Sequence, residues 1–340
     1  MLVSIDKSAK KRPTIREVAA IAGVSRGTVS RVLNGGHWVS PAAEEAVLKA
    51  IESTGYRTNQ LARGLATGRT GSIAFLLTEP HSLLFADPVF SILLRGAAEA
   101  LNRRNMTLNL LVASTKTERV NVRSYVSAGH VDGVLLISSH ENESLLHDLL
   151  EDGVPTVACG LPLGFQDIVA SVSVDEIQGA RTMLQHLKSR GRKRIAIITG
   201  PLDTPGGLYR LAGYKEEMGA DFDESLVAYG DYSLDSGVLA MSELLERHPD
   251  LDAVFCASDL MATGALTALQ KSGRSVPEDV SVGGFDDGGL AQTLNPPLTT
   301  MRQPFDKIAE EMVKLLLELL DGGQPKTVTL PVELMEREST

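Results

Sequence analysis

Thr14-Ile15-Arg16-Glu17-Val18-Ala19-Ala20-Ile21-Ala22-Gly23-Val24-Ser25-Arg26-Gly27-Thr28-Val29-Ser30-Arg31-Val32-Leu33 is the stretch from which the architecture can be built outward. Thr14 is a good helix N-cap, and Glu17 three residues on completes a capping box. Ile15, Val18, Ala19 and Ile21–Ala22 give that helix one apolar face. Gly23 stops it, because glycine readily takes the left-handed conformation of a C-cap. Ser25 caps a second helix to about Leu33, with Val29, Val32 and Leu33 inward and Arg26, Gly27, Ser30 and Arg31 outward. A helix, a tight glycine turn and a short helix with basic outer positions is a helix-turn-helix of the kind that enters a major groove. Asn34-Gly35-Gly36 ends the second helix, and Ser40-Pro41 opens a third. Its expected inward residues are Ala43, Val47, Leu48 and Ile51, and Gly55 ends it.

Charge supports this reading. Residues 1–70 hold 11 Lys and Arg against 5 Asp and Glu, whereas the other 270 residues hold 22 against 38. A module of +6 is therefore joined to a body of −16, which suits a polyanion partner for the small part only. Gly23-Val24-Ser25-Arg26-Gly27 also matches the nucleophile-elbow pattern, but that pattern needs a strand before its serine, and here a helix precedes it.

The whole chain has 340 residues, enough for two domains and a small module. With 43% hydrophobic and 22% charged residues it reads as globular. No apolar run approaches the ~18–20 residues of a membrane span. Lys7, Lys10, Lys11 and Arg12 lack the apolar stretch of a signal peptide behind them. Cys159 and Cys256 are too few for a disulfide framework or a zinc site, so a cytoplasmic protein with two buried thiols is expected.

From about residue 71, apolar strands (72–77, 107–112, 133–138, 156–159, 171–174, 195–199, 253–257, 280–284) alternate with helical segments (90–103, 178–189, 206–217, 236–247, 260–271). Alternation at this spacing predicts parallel sheets with right-handed crossovers. The body contains no G-x-G-x-x-G, no phosphate-loop G-K-[ST] and no H-E-x-x-H, and its histidines are scattered. Binding rather than catalysis is expected, with no cofactor and no metal.

Thr14–Ala19, Ala22–Ser25 and Thr28–Asn34 strongly resemble the headpiece of the lactose-repressor family of bacterial transcription regulators. Gly55–Asn59 and Leu61–Leu65 resemble its hinge helix. The likeness continues through Gly200-Pro201, Arg210–Tyr214, Ala257–Asp259, Val276–Ser281, Gly284–Asp287 and Pro297–Thr300, all in the family's order. It implies a helix-turn-helix domain over 12–57, a hinge over 58–70 and an effector-binding, dimerising body over 71–340. That body has a two-lobed α/β architecture like that of periplasmic binding proteins. The implied lobes are 71–170 with 301–324, and 171–300 with 325–340, the chain crossing near Ala170, Thr300 and Gln324.

By the same resemblance, Arg26 and Gly27 sit where bases are read, and an arginine there binds guanine O6 and N7. Ser25, Thr28, Ser30, Arg31 and Asn34 are implied phosphate or base-edge contacts. Thr14 and Ser40 are implied to reach phosphates, and Tyr56 and Asn59 complete the DNA-contacting set. Leu65 is implied to wedge into the minor groove at the axis of a homodimer on a palindromic operator. Thr58 departs from the family's usual proline before the hinge asparagine.

In the cleft, Arg210 and Asp286 match the family's key arginine and aspartate, a pair that donates to and accepts from vicinal hydroxyls. Tyr232 occupies the position that stacks on a sugar or base. Ser258 and Gln303 are polar candidates, while Asp259 is expected to cap the next helix. Gly160 stands where many relatives have an aspartate. The loop 78–88, with Phe85 and Asp87, and Ser138-Ser139-His140 resemble the cellobiose-type repressors of actinobacteria. The implied effector is cellobiose or a related gluco-oligosaccharide. Another sugar, a purine or nucleoside, and a corepressor response are the alternatives. A periplasmic sugar-binding protein would have no use for residues 14–66.

Overall fold

A computed structural model describes residues 13–33, 38–56 and 69–340. The chain divides into two compact units, residues 1–70 and 71–340.

In the first unit, helices α1 (Ile15–Ala22), α2 (Arg26–Leu33) and α3 (Pro41–Thr54) enclose a core of Val18, Ala19, Val29, Val47 and Ala50. Local chemistry sets each boundary. The Thr14 amide donates to Glu17 Oε2 at 2.7 Å, and the Glu17 amide donates to Thr14 Oγ1 at 3.4 Å. Gly23 and Gly55 take φ of 67° and 64° as C-caps. Ser40 caps α3 through the Ala43 amide, with Pro41 in the first turn. Two expected inward residues face solvent instead: Ile21 is 61% and Leu48 54% exposed. Three short helices close around so small a centre that the flanks of α1 and α3 stay uncovered.

The second unit contains two six-stranded sheets. The first is wholly parallel, in order β11-β5-β4-β3-β1-β2: β1 (Ser72–Leu77), β2 (Thr107–Val112), β3 (Gly133–Ile137), β4 (Thr156–Cys159), β5 (Ala170–Val174) and β11 (Thr327–Leu330). The second runs β12-β10-β9-β8-β6-β7: β6 (Ile195–Thr199), β7 (Val227–Tyr229), β8 (Ala253–Cys256), β9 (Ser281–Asp286), β10 (Thr299–Arg302) and β12 (Glu333–Met335). There only β12 is antiparallel. The central strands carry continuous apolar runs, as sheets covered on both faces require.

The helices filling the faces are α4 (His81–Ala86), α5 (Pro88–Asn102), α6 (Lys116–Ser127), α7 (Ser144–Glu151), α8 (Glu176–Ser189), α9 (Pro205–Met218), α10 (Leu234–Arg247), α11 (Asp259–Lys271) and α12 (Phe305–Leu320). α12 packs on α5 and on β3, β4 and β5, while α8 packs on α9 and α10 on α11. One buried apolar cluster runs from Phe75 and Leu135 in the first lobe to Phe255 and Phe285 in the second.

The chain passes between lobes later than the sequence suggested. β5 still belongs to the first sheet, so the first passage follows Val174 rather than Ala170. The second follows Arg302, and the third lies between Leu330 and Glu333. Strands this short and at sheet edges owe their membership to distant partners such as Ser171 and Thr327, which pairwise align in register. The expected loop 78–88 contains α4, which turns Leu83 and Leu84 toward the core.

Candidate functional site

Of the candidate DNA-contacting residues, those on α2 divide by exposure. Arg26, Gly27 and Arg31 are exposed, and Thr28 and Ser30 are half-buried. Arg26 and Arg31 form no ion pair with any described residue. Ser25 follows a turn out of a helix, not a strand, and caps α2: its Oγ accepts from the Thr28 amide at 3.1 Å and lies 2.9 Å from Thr28 Oγ1. Thr14 and Ser40 are likewise engaged as caps. Gly27 is not demanded by packing. A Cβ there would meet only Ser25 Oγ at 3.6 Å and the end of the Arg31 side chain at 4.0 Å, both ordinary contacts. The Tyr56 ring packs against the headpiece core. Asn34, Asn59 and Leu65, with Thr58, lie outside the described residues.

The second unit opens a cavity of about 150 Å³ between its lobes. Its polar walls are set at the C-terminal ends of the strands, the usual ligand position in open α/β sheets. Glu79 follows β1, Ser138 and Ser139 follow β3, Gly160 follows β4, and Ser173 lies in β5. From the opposite lobe come Thr204, Arg210, Tyr232, Ser258 and Asp286, with Gln303 after β10.

Arg210, on α9, is 5% exposed. Its Nε donates to Glu176 Oε2 at 2.6 Å and its Nη1 to the Ala257 carbonyl at 2.5 Å. Asp286 Oδ1 lies 3.8 Å from Nη1, and the guanidinium stacks 3.7 Å above the Phe285 ring. Nη2 donates to no described residue. Burial alone would lower the guanidinium pKa, but Glu176 and Asp286 overrule it and hold the charge more firmly than in water. Glu176, Asp286 and Asp87 all draw on this one cation. Burial raises Asp286 well above the ordinary range, Arg210 pulling it back and Asp259 and Asp87 pushing it further up. Burial likewise raises Asp87 and pushes Asp259 to about 7. Gln303 Nε2 donates to Asp286 Oδ1 at 2.8 Å and fixes that carboxylate's orientation.

Tyr232 stands at φ 67° and Asp286 at φ 125°, backbone conformations that L-residues avoid. The Tyr232 hydroxyl is 3.1 Å from Thr204 Oγ1, and burial pushes the phenol up to about 12. Outliers of this kind concentrate where a side chain must be aimed at something. Gly160, at φ 81°, also lines the cavity, and a Cβ on it would press on Pro205 Cγ at 3.2 Å.

Several expected roles change. Phe85 is 87% exposed and does not line the cavity, because α4 spends its inward face on Leu83 and Leu84. Asp87 does line it, while also capping α5 through the Val89 amide at 3.0 Å. His140 is not on the cavity wall. It spans the lobes, with Nε2 3.1 Å from Glu79 and Nδ1 2.9 Å from Asp203. Ser258, not Asp259, caps α11. Asp259 is buried, accepting from Thr300 Oγ1 at 2.6 Å and from the Asp287 amide at 2.8 Å. Cys159 is only half-buried and lines the cavity, where burial pushes its thiol to about 12. Glu79, Glu176 and Thr204 were not foreseen. Glu79-Pro80 directly after an apolar strand was the available signal, since strand ends face the cleft.

A basic three-helix module joined to a two-lobed α/β body with an interlobe polar cavity defines a ligand-responsive DNA-binding regulator. Residues 14–59 match the bacterial regulatory proteins of the lacI family, and residues 184–340 match a periplasmic binding protein-like domain. The chain is 46% identical to the HTH-type transcriptional regulator CelR of Thermobifida fusca, over 97% of this chain and 99% of that protein. A solved transcriptional regulator CelR–cellobiose complex aligns at 44% identity and a TM-score of 0.78, covering 97% of this chain and 100% of the other. The Lac repressor dimer bound to operator and the anti-inducer ONPF aligns at 27% identity and a TM-score of 0.84, covering 97% and 99%. This chain therefore belongs to the lacI family of bacterial regulatory proteins, and it is a transcription regulator.

Proposed function

We propose that the chain is a repressor that grips a palindromic operator as a homodimer and lets go when cellobiose, or a related β-linked gluco-oligosaccharide, fills the interlobe cavity. The observation that carries this reading is the arrangement around Arg210. A guanidinium with an uncommitted nitrogen faces the same cavity as a carboxylate and an amide, Asp286 and Gln303, so vicinal hydroxyls find donor and acceptor together. Tyr232 adds a flat apolar face suited to a pyranose ring. Similarity to a regulator solved with cellobiose favours that sugar among the candidates.

On the DNA side, Arg26 and Gly27 are the base-reading pair. Arg26 takes a guanine edge, and Gly27 lets the helix backbone approach closely. Ser25, Thr28, Ser30 and Arg31 fix the register on phosphates and neighbouring base edges. The domain limits are 12–57 for the headpiece, 58–70 for the hinge and 71–340 for the body. The effector acts by its differential affinity for the DNA-bound and free states.

Trp38 is the chain's single tryptophan and is 95% exposed in the headpiece, so its fluorescence is expected to report operator binding. A thermal-shift panel of cellobiose, cellotriose, glucose, maltose, lactose and hypoxanthine reports the effector. At a hundredfold excess over Kd a true effector stabilises by about 2.7 kcal/mol. A cellobiose-selective shift accompanied by release of operator DNA is expected. A shift with hypoxanthine alone overturns the sugar reading, and tighter operator binding with cellobiose reverses the sign of the response.

A further inference from the structure

The cavity wall contributed by the first lobe has a carboxylate of its own. Glu79 is 9% exposed and lines the cavity beside Ser138 and Ser139. Its two oxygens are used unequally. Oε1 accepts from Ser138 Oγ at 2.5 Å and lies 3.1 Å from His140 Nε2. Oε2 accepts from no described residue, and it is not sealed off from solvent either. One oxygen anchors the group and the other is left for a guest.

The anchor is expensive, which argues that it has a use. Ser138 reaches Glu79 from φ 59°, a conformation worth of order 1–3 kcal/mol of strain in a serine. Its carbonyl is in turn held by Thr78 Oγ1 at 2.8 Å. Burial pushes the Glu79 pKa up, but the bonds from His140 and Ser138 bring it below the ordinary value, so the group is an anion at neutral pH. An anion with one free oxygen on a cavity wall accepts hydrogen bonds from neutral donors at charge-assisted strength. The same end of that sheet carries Gly160, which offers no side chain and whose φ of 81° would strain one. Glu79, at the end of β1, supplies an acceptor on this wall.

We propose that Glu79 is a specificity-determining residue of the effector site, its free Oε2 accepting hydrogen bonds from sugar hydroxyls on the wall facing Arg210 and Asp286. This rests on the sugar reading of the cavity and deepens it: a ligand must offer hydroxyls to both lobes at once, which a purine does not. Ser138 and His140 are positioning residues for Glu79. His140 further ties that carboxylate to Asp203 of the other lobe, whose backbone carbonyl also accepts from the Glu141 amide at 2.6 Å.

The test is isothermal titration of the full chain with cellobiose. Glu79→Gln is expected to weaken binding by about 10- to 150-fold, the worth of hydrogen bonds to a charged acceptor. Glu79→Asp keeps the charge but withdraws it by one methylene, and an intermediate loss is expected. It also serves if the glutamine variant does not fold. His140→Gln removes the interlobe imidazole while leaving Glu79 in place, so a smaller loss than for Glu79→Gln is expected. Cellobiose affinity equal to wild type in both Glu79 variants overturns the proposal and leaves the sugar reading standing. So does a His140→Gln loss as large as that of Glu79→Gln, which would make Glu79 a structural link only. Absence of any cellobiose or cellotriose binding by the wild type overturns both readings together.

Discussion

Arg26 and Arg210 both hold a charge in readiness for a partner, but they do so in opposite surroundings. Arg26 stands in water on α2, with no ion pair among the described residues. Arg210 is buried between Glu176, Asp286 and the Phe285 ring. A charge in water contributes almost nothing to folding and is available at long range to a polyanion. A charge in the interior is bound up with the stability of everything around it, because each neighbour was desolvated on the understanding that the others would be there. Recognition and stability are therefore separable in the headpiece and inseparable in the cleft.

The sharpest way to break this contrast is Arg210→Ala. It leaves Glu176 and Asp286 buried without their cation, and a loss of about 3–5 kcal/mol in urea unfolding is expected together with loss of the cellobiose response. Wild-type stability in that variant would sink the contrast. Arg26→Ala is the mirror experiment. About 1–3 kcal/mol of operator binding should disappear, along with discrimination at one base pair. Unfolding free energy should stay within about 0.5 kcal/mol of wild type, as for other surface changes.

Between the two lies Thr14→Ala, which removes a cap rather than a contact. About 1 kcal/mol of headpiece stability is at stake, read from the far-ultraviolet melting of the helices. A loss of operator affinity without any change in melting would mean that Thr14 serves DNA and not α1.

A fourth test concerns pH. His140 is raised from 6.5 to about 9, first by its hydrogen bond to Glu79 and then by Asp203. A base raised in the folded state contributes stability that is complete below pH 6.5 and fades as pH climbs through about 9. The body's melting temperature should therefore decline over that interval more steeply in the wild type than in His140→Gln. Parallel profiles would show that the imidazole is not charged between the lobes.

The headpiece was legible in the sequence because its signals are local: Thr14 and Glu17 lie three residues apart, and Gly23 ends its own helix. What failed there was side-chain facing, at Ile21 and Leu48, where periodicity has no knowledge of how little core three short helices can offer. In the body, long apolar strands such as β1 and β6 declared themselves, whereas β10, β11 and β12 are three or four residues long and depend on remote partners. The cleft followed the same rule. Arg210 and Asp286 could be placed from motifs, but Glu79 is held in place by Ser138 and His140, 59 and 61 residues away. His140 itself looked like a ligand contact until Asp203 appeared from the other lobe.

The three passages of the chain between lobes carry a consequence for how the protein is made. β11 edges the first sheet and β12 the second, and both are specified by the last fourteen residues from Thr327 onward. Ser339, fully buried, then stitches Val282 to Thr299. A chain made only as far as Gln324 therefore has both lobes still lacking an edge strand. A stop before Thr327 would open two sheet edges at once, yielding a protein open to edge-to-edge aggregation rather than a regulator with one damaged half.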